Sequence, residues 1–142
     1  MSILVGFDLV DCARCADWLK LSDKALMKIF SSAEIAYCRK DPAQSASRFA
    51  VRFAAREALY KALNTLQHDR SMPFLLFCRS VEVVKSATNR PSIKLDAAIM
   101  ATFYAVEKIA DLSLSLSHTA TTTGAVVIIT LKSTTLNSVF NN

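Results

Sequence analysis

A chain of 142 residues, 52% apolar and 20% charged, is long enough for one packed domain and too apolar to be disordered. Its net charge of +5 favours an anionic ligand or partner, but no Lys/Arg run interleaves with aromatics and no zinc-finger or RNP pattern occurs, so no nucleic-acid partner is expected. No window approaches the roughly 18 uncharged apolar residues of a membrane span, and "MSILVGFDLVD" lacks the basic start of a signal peptide; a cytoplasmic location without a membrane partner is expected.

In chain order, "ILVGFDLV" predicts a strand over residues 3–9. Residues 13–30 carry apolar side chains at helical spacing, and Lys20, Lys24 and Lys28 fall on a separate stripe of the same predicted helix. "SSAEIAYCRK" starts a new helix, with Ser31 or Ser32 as cap and Glu34 completing a capping box. After the turn "DPAQ", a long helix runs over residues 44–66. "LLFCRSVEVV" reads as strand, "SATNRP" as turn, "SIKL" as short strand and residues 96–110 as helix with Asp96 near its start. "DLSLSLSH" alternates leucine with serine, "TATTTG" turns, and "AVVIITLK" returns as a strand. The expected fold is α+β, a mainly antiparallel sheet packed against a long helix, in one domain over residues 1–132 with a polar tail over 133–142. Of four cysteines only Cys12 and Cys15 are close; a zinc site needs two such pairs, which leaves a redox C-x-x-C or buried thiols.

The long helix contains an anomaly in "RFAVRFAAREALYKAL". At about 100° per residue, Arg48, Arg52 and Arg56 share a stripe that reads as a solvated edge. Glu57 and Lys61 fall elsewhere, between an aromatic side (Phe49, Phe53, Tyr60) and a small-residue side (Val51, Ala54, Ala58). They are either an i,i+4 ion pair, worth roughly 0.2–0.5 kcal/mol, or a pair facing a pocket. Asp8 is either a strand-end cap for the next helix or a carboxylate held rigidly enough for magnesium. His118 shares the parity of Leu112, Leu114 and Leu116, so it is either a core histidine or a ligand contact beside Ser117 and Thr119. Two carboxylates from different elements and a nearby lysine suggest magnesium-assisted chemistry on a phosphate ester or anhydride. A nuclease, a nucleotide phosphohydrolase and a group transferase all fit that class. A basic, non-enzymatic binding module would make the pairing accidental.

Taken in order, "VGFDLVD", "RFAAREALYKAL", "NRPSIKL" and "SLSLSH" resemble the motifs of holo-acyl-carrier-protein synthase, the small class of 4′-phosphopantetheinyl transferase, over about residues 3–130. The resemblance implies that fold, and transfer of the phosphopantetheine arm of coenzyme A to a serine of apo-acyl carrier protein, which releases adenosine 3′,5′-bisphosphate and readies the carrier for fatty acid biosynthesis. It implies magnesium on Asp8 and Glu57, Lys61 on a phosphate, and Arg52, Pro91, Ser117, His118 and Thr119 lining the coenzyme A site. Either Glu57 or a metal-bound water would take the serine proton. Arg14 matches a carrier-contacting position, and the assembly implied is a homotrimer with active sites shared between neighbours; Lys20, Lys24 and Lys28, grouped by their spacing, are either further carrier contacts or a solvated face. The chain departs from the family at Asn64 and Leu66, which replace the glycines of Gly-Thr-Gly, and at Asn89, which replaces the glycine of G-x-P. Asparagine tolerates left-handed backbone, so the turns at Asn64 and Asn89 are expected to survive and Leu66 to alter the coenzyme A loop. Arg56, before the glutamate, keeps the family's charge.

Overall fold

A computed structural model describes residues 1–134 of the chain. Strand β1 (Ile3–Asp11) pairs antiparallel with β5 (Thr122–Leu131), and β5 with β4 (Ile109–His118), giving the order β1-β5-β4. Helix α4 (Ser45–Leu63) crosses the inner face of this sheet. The cause is in the sequence of both elements. Leu4, Gly6, Asp8 and Val10 form the more buried side of β1, while Ala54, Ala58 and Ala62 line the matching side of α4 and are buried. A Cβ on Gly6 would stand 1.7 Å from the Ala58 carbonyl oxygen, so only glycine lets the helix come this close. The small-residue side of the helix therefore serves close approach of another backbone.

The other face of α4 carries the aromatic core, in which Phe49 and Phe53 meet Phe30, Trp18 and Phe74 at ring separations of 5.1–6.0 Å. A second sheet, the hairpin of β2 (Val81–Lys85) and β3 (Pro91–Leu95), lies beside α3 (Ser32–Arg39). The α+β class and the mainly antiparallel pairing are as expected. So is the capping box at Ser31 and Glu34.

Three expectations about elements need correction. The single helix over 13–30 is broken into α1 (Cys12–Ala16), a 3₁₀ turn and α2 (Asp23–Leu26), because the Ser22 hydroxyl caps α2 by accepting the Ala25 N–H and turns the chain out at Leu21. Lys20, Lys24 and Lys28 are all exposed, but they do not form one helical stripe. The first part of "LLFCRSVEVV" is helix α5 (Phe74–Arg79), which buries Phe77 and Cys78, and the strand begins only at Val81. The helix over 96–110 stops as α6 (Ala97–Phe103), since Tyr104 turns extended, bridges Gln67 and buries its ring. Of the polar tail, residues 135–142 lie outside the described residues.

Among the turn positions, Asn89 adopts φ 61°, the left-handed conformation expected of it. Asn64 does not: it continues right-handed at φ −55° into a 3₁₀ turn, and Leu66 closes that turn by burying its side chain in the core.

Candidate active site

The close contact of β1 and α4 brings Asp8 against the exposed end of the helix. Lys61 Nζ donates to Asp8 Oδ1 at 2.7 Å and to the Phe7 carbonyl oxygen at 3.1 Å. Lys61 thus pairs across elements, not with Glu57 one turn before it. Asp8 does not cap the next helix: Asp11 holds that position, without a side-chain hydrogen bond. Glu57 stands near enough to both groups to feel them. Burial raises its pKa and the charge of Asp8 raises it further, while Lys61 and Arg14 pull the other way. Arg14 lies with its guanidinium 5.4 Å from the Phe53 ring centroid. Strand β1 and helices α4 and α1 therefore assemble two carboxylates and two cations at a partly solvated edge.

A second feature lies nearer the start of α4. A cavity of about 280 Å³ opens between that helix, α3 and the β2–β3 hairpin, bordered by Arg48, Arg52, Lys85, Pro91, His118 and Tyr37 among others. His118 is exposed at the end of β4, not buried in the core. Ser117 and Thr119 do not line this cavity. They border a shallower hollow of about 210 Å³ with Phe7 and Leu9, which His118 also touches. Residues implied for coenzyme A thus divide into three places: Lys61 beside Asp8, then Arg52, Pro91 and His118 in the cavity, then Ser117 and Thr119 in the hollow.

The arginine stripe of α4 is no solvated edge. Arg56 is fully buried, pairs with Glu34 through both terminal nitrogens at 2.9 and 2.6 Å, and donates to the Val81 and Cys78 carbonyl oxygens. Arg52 is only 8% exposed. Burial raises the pKa of Cys15 and Cys38 to about 11 and of Cys78 to about 12, which disfavours their thiolates, while Cys12, beside Cys15, is half-buried.

Residues 4–123 match the sequence profile of the 4′-phosphopantetheinyl transferase superfamily. The chain belongs to that superfamily. It is 33% identical to the holo-acyl-carrier-protein synthase of Treponema denticola over 91% of this chain and 98% of that relative. Its fold matches a Chronobacterium ammoniagenes ACPS–CoA complex at TM-score 0.75 and 25% identity, over 94% of this chain and all of that one. It also matches the Helicobacter pylori holo-acyl-carrier-protein synthase in complex with coenzyme A at TM-score 0.68 and 30% identity, over 89% of this chain and 100% of that one. The chain is accordingly a phosphopantetheinyl transferase of the holo-acyl-carrier-protein synthase type.

Three residues that border the larger cavity, Tyr37, Arg48 and Lys85, were not among the site residues expected from the sequence. Arg48 was visible but assigned to solvent. Lys85 and Tyr37 reach the cavity only through the packing of the hairpin and α3 on α4, which no local spacing encodes. Among the described residues no group of three or more His, Cys, Asp or Glu side chains converges as a metal site. Asp8 and Glu57 alone suit magnesium, which binds through one or two carboxylates and keeps water and substrate phosphate in its remaining positions. No helix among the described residues is long and apolar enough to cross a membrane.

Proposed function

We propose that this transferase moves the 4′-phosphopantetheine arm of coenzyme A to a serine of apo-acyl carrier protein in a magnesium-dependent reaction, releasing adenosine 3′,5′-bisphosphate. The observation that carries the reading is the convergence of Asp8, Glu57 and Lys61 from β1 and α4. In this reading the serine oxygen attacks the phosphorus that bears the pantetheine arm. The anhydride P–O bond breaks, and its electron pair leaves on the 5′-phosphate of adenosine 3′,5′-bisphosphate. Glu57, whose proton affinity is raised by burial and by Asp8, accepts the serine proton. Lys61, half exposed on a flexible stem, turns its ammonium to the pyrophosphate oxygens. Magnesium held by Asp8 and Glu57 would neutralise further charge on that group. Arg48, Arg52, Lys85 and His118 border the cavity we assign to the nucleotide end of coenzyme A, with Pro91 shaping its wall.

The carrier, an acidic protein, docks on the exposed cations Arg14, Lys20, Lys24 and Lys28; Arg14 is the one whose charge also reaches Glu57. We further infer a homotrimer. On the outer side of β1, Ile3, Val5, Phe7 and Leu9 are 52–61% exposed, with Ile128 of β5 beside them at 41%. Such an apolar face on one sheet marks an interface, and it borders the hollow that holds Ser117 and Thr119. A neighbour covering it would bring these residues into a shared site. A reducing cytoplasm suits the four free thiols.

Chromatography of the nucleotide product tests the reaction. Adenosine 3′,5′-bisphosphate should appear only when the protein, coenzyme A and apo-carrier are all present. Release without the carrier would indicate a phosphohydrolase instead, and absence of release in every mixture would sink both.

A further inference from the structure

We propose that Tyr37 is a positioning residue for the nucleotide cavity: its ring gathers Arg48, Arg52 and Lys85 and holds the two guanidinium groups ready for a phosphate of coenzyme A. The inference rests on the reading of that cavity as the nucleotide site. Tyr37 lies on α3 and borders the cavity. The guanidinium carbons of Arg48 and Arg52 each stand 4.5 Å from its ring centroid, and Lys85 Nζ stands 5.1 Å away. The Tyr37 carbonyl oxygen also accepts a hydrogen bond from Arg48 Nη1 at 3.0 Å. Backbone and ring of one residue thus fix the same side chain.

Arg48 and Arg52 are one turn apart on α4, a spacing at which like charges repel. Among the described residues neither they nor Lys85 makes an ion pair with a carboxylate. Arg52 is nearly buried, donates from Nη1 to the Arg48 carbonyl oxygen at 3.2 Å, and leaves its Nε without a partner. A buried cation with an unspent donor calls for an anion. A carboxylate in the place of Tyr37 would hold the three cations as firmly, but it would cancel their charge and compete with the phosphate. An aromatic face attracts cations while carrying no net charge. It keeps the guanidinium groups together and leaves their field for the ligand. Helix α3 can act as a stiff mount because a capping box orders its first turn and the buried Glu34–Arg56 pair ties it to α4.

Steady-state kinetics on Tyr37→Leu and Tyr37→Phe test this, with calorimetric binding of adenosine 3′,5′-bisphosphate alongside. Leucine removes the ring; phenylalanine keeps it. Tyr37→Leu should raise the KM for coenzyme A about tenfold, the scale of one or two such contacts, and weaken nucleotide binding alike. Its kcat and its KM for the carrier should stay within twofold, and Tyr37→Phe should match wild type in all three. A Tyr37→Leu enzyme with wild-type KM for coenzyme A would overturn the proposal, as would a Tyr37→Phe enzyme impaired equally. Should the leucine variant not fold, phenylalanines of increasing fluorination at position 37 keep the ring's shape while weakening its negative face. The KM for coenzyme A should then climb with each fluorine, and a flat series overturns the proposal. An Arg52→Met variant separates the two levels. If it raises that KM while every ring variant does not, the nucleotide reading stands and the role of Tyr37 falls; if wild type binds no nucleotide, the reading itself falls.

Discussion

Glu57 is held in a place that disfavours its charge. Burial and Asp8 raise its pKa, and Lys61 and Arg14 offset only part of this. A folded-state pKa above the unfolded one means that the ionised carboxylate destabilises the fold in full at pH above the folded value, and that the penalty fades as pH falls through the folded value toward the unfolded one. Glu57→Gln should therefore melt at a higher temperature than wild type at neutral pH, with the gain shrinking toward acid pH, even though it loses activity. Thermal melts across pH check this, and a variant less stable at neutral pH would contradict it. Arg56 shows the opposite case, a charge whose burial is fully compensated. Its pairing with Glu34 was hidden because the two residues are far apart in sequence, and an arginine stripe at four-residue spacing looks the same whether water or another helix covers it. Removing one partner of a buried pair leaves the other unpaired, at a cost of about 3–5 kcal/mol. Arg56→Met should lose unfolding free energy of that order in a denaturant titration. By contrast, Asp8, Glu57 and Lys61 could be picked out beforehand, since a carboxylate and an ammonium enclosed by apolar residues have few structural uses.

At the scale of elements, the pairing of β1 with α4 decides where the site lies. Gly6 is what lets Asp8 reach Lys61, because the helix backbone occupies the space a side chain would need. Gly6→Ala must push α4 off the sheet. We expect a loss of about 3 kcal/mol or more in stability, together with loss of the Asp8–Lys61 contact, measurable by denaturation and by activity. A folded, fully active Gly6→Ala protein would show that the close approach is dispensable. The strands were legible because their alternation is regular: Leu112, Leu114 and Leu116 on β4 face in and the serines between them face out. Segment 75–80 was not, since a short apolar run fits strand and helix equally. Only tertiary packing selects helix there, by placing Phe74, Phe77 and Cys78 along one side of α5. The long helix over 13–30 failed for a different reason. Its apolar spacing continues through Ser22, but the serine hydroxyl satisfies a backbone N–H of a new helix and so begins one.

For the molecule as a whole, the outer face of β1 is the feature that a single copy leaves unexplained. If a neighbour covers it, a charge there should both dissociate the assembly and disable the shared site. Val5→Asp should sediment as a lighter species than wild type and turn over coenzyme A at a small fraction of its rate. A wild-type protein that sediments as an active monomer would remove the trimer from the account. This face was only half legible, because alternation in "ILVGFDLV" announces two apolar sides without saying what meets the outer one. The transfer reaction itself is tested most directly by the intact mass of the carrier. Apo-acyl carrier protein incubated with this protein, coenzyme A and magnesium should gain the mass of one phosphopantetheine arm, and should gain none with Asp8→Asn or Glu57→Gln. A carrier whose mass is unchanged by the folded wild-type protein, or fully converted by either variant, would contradict the account.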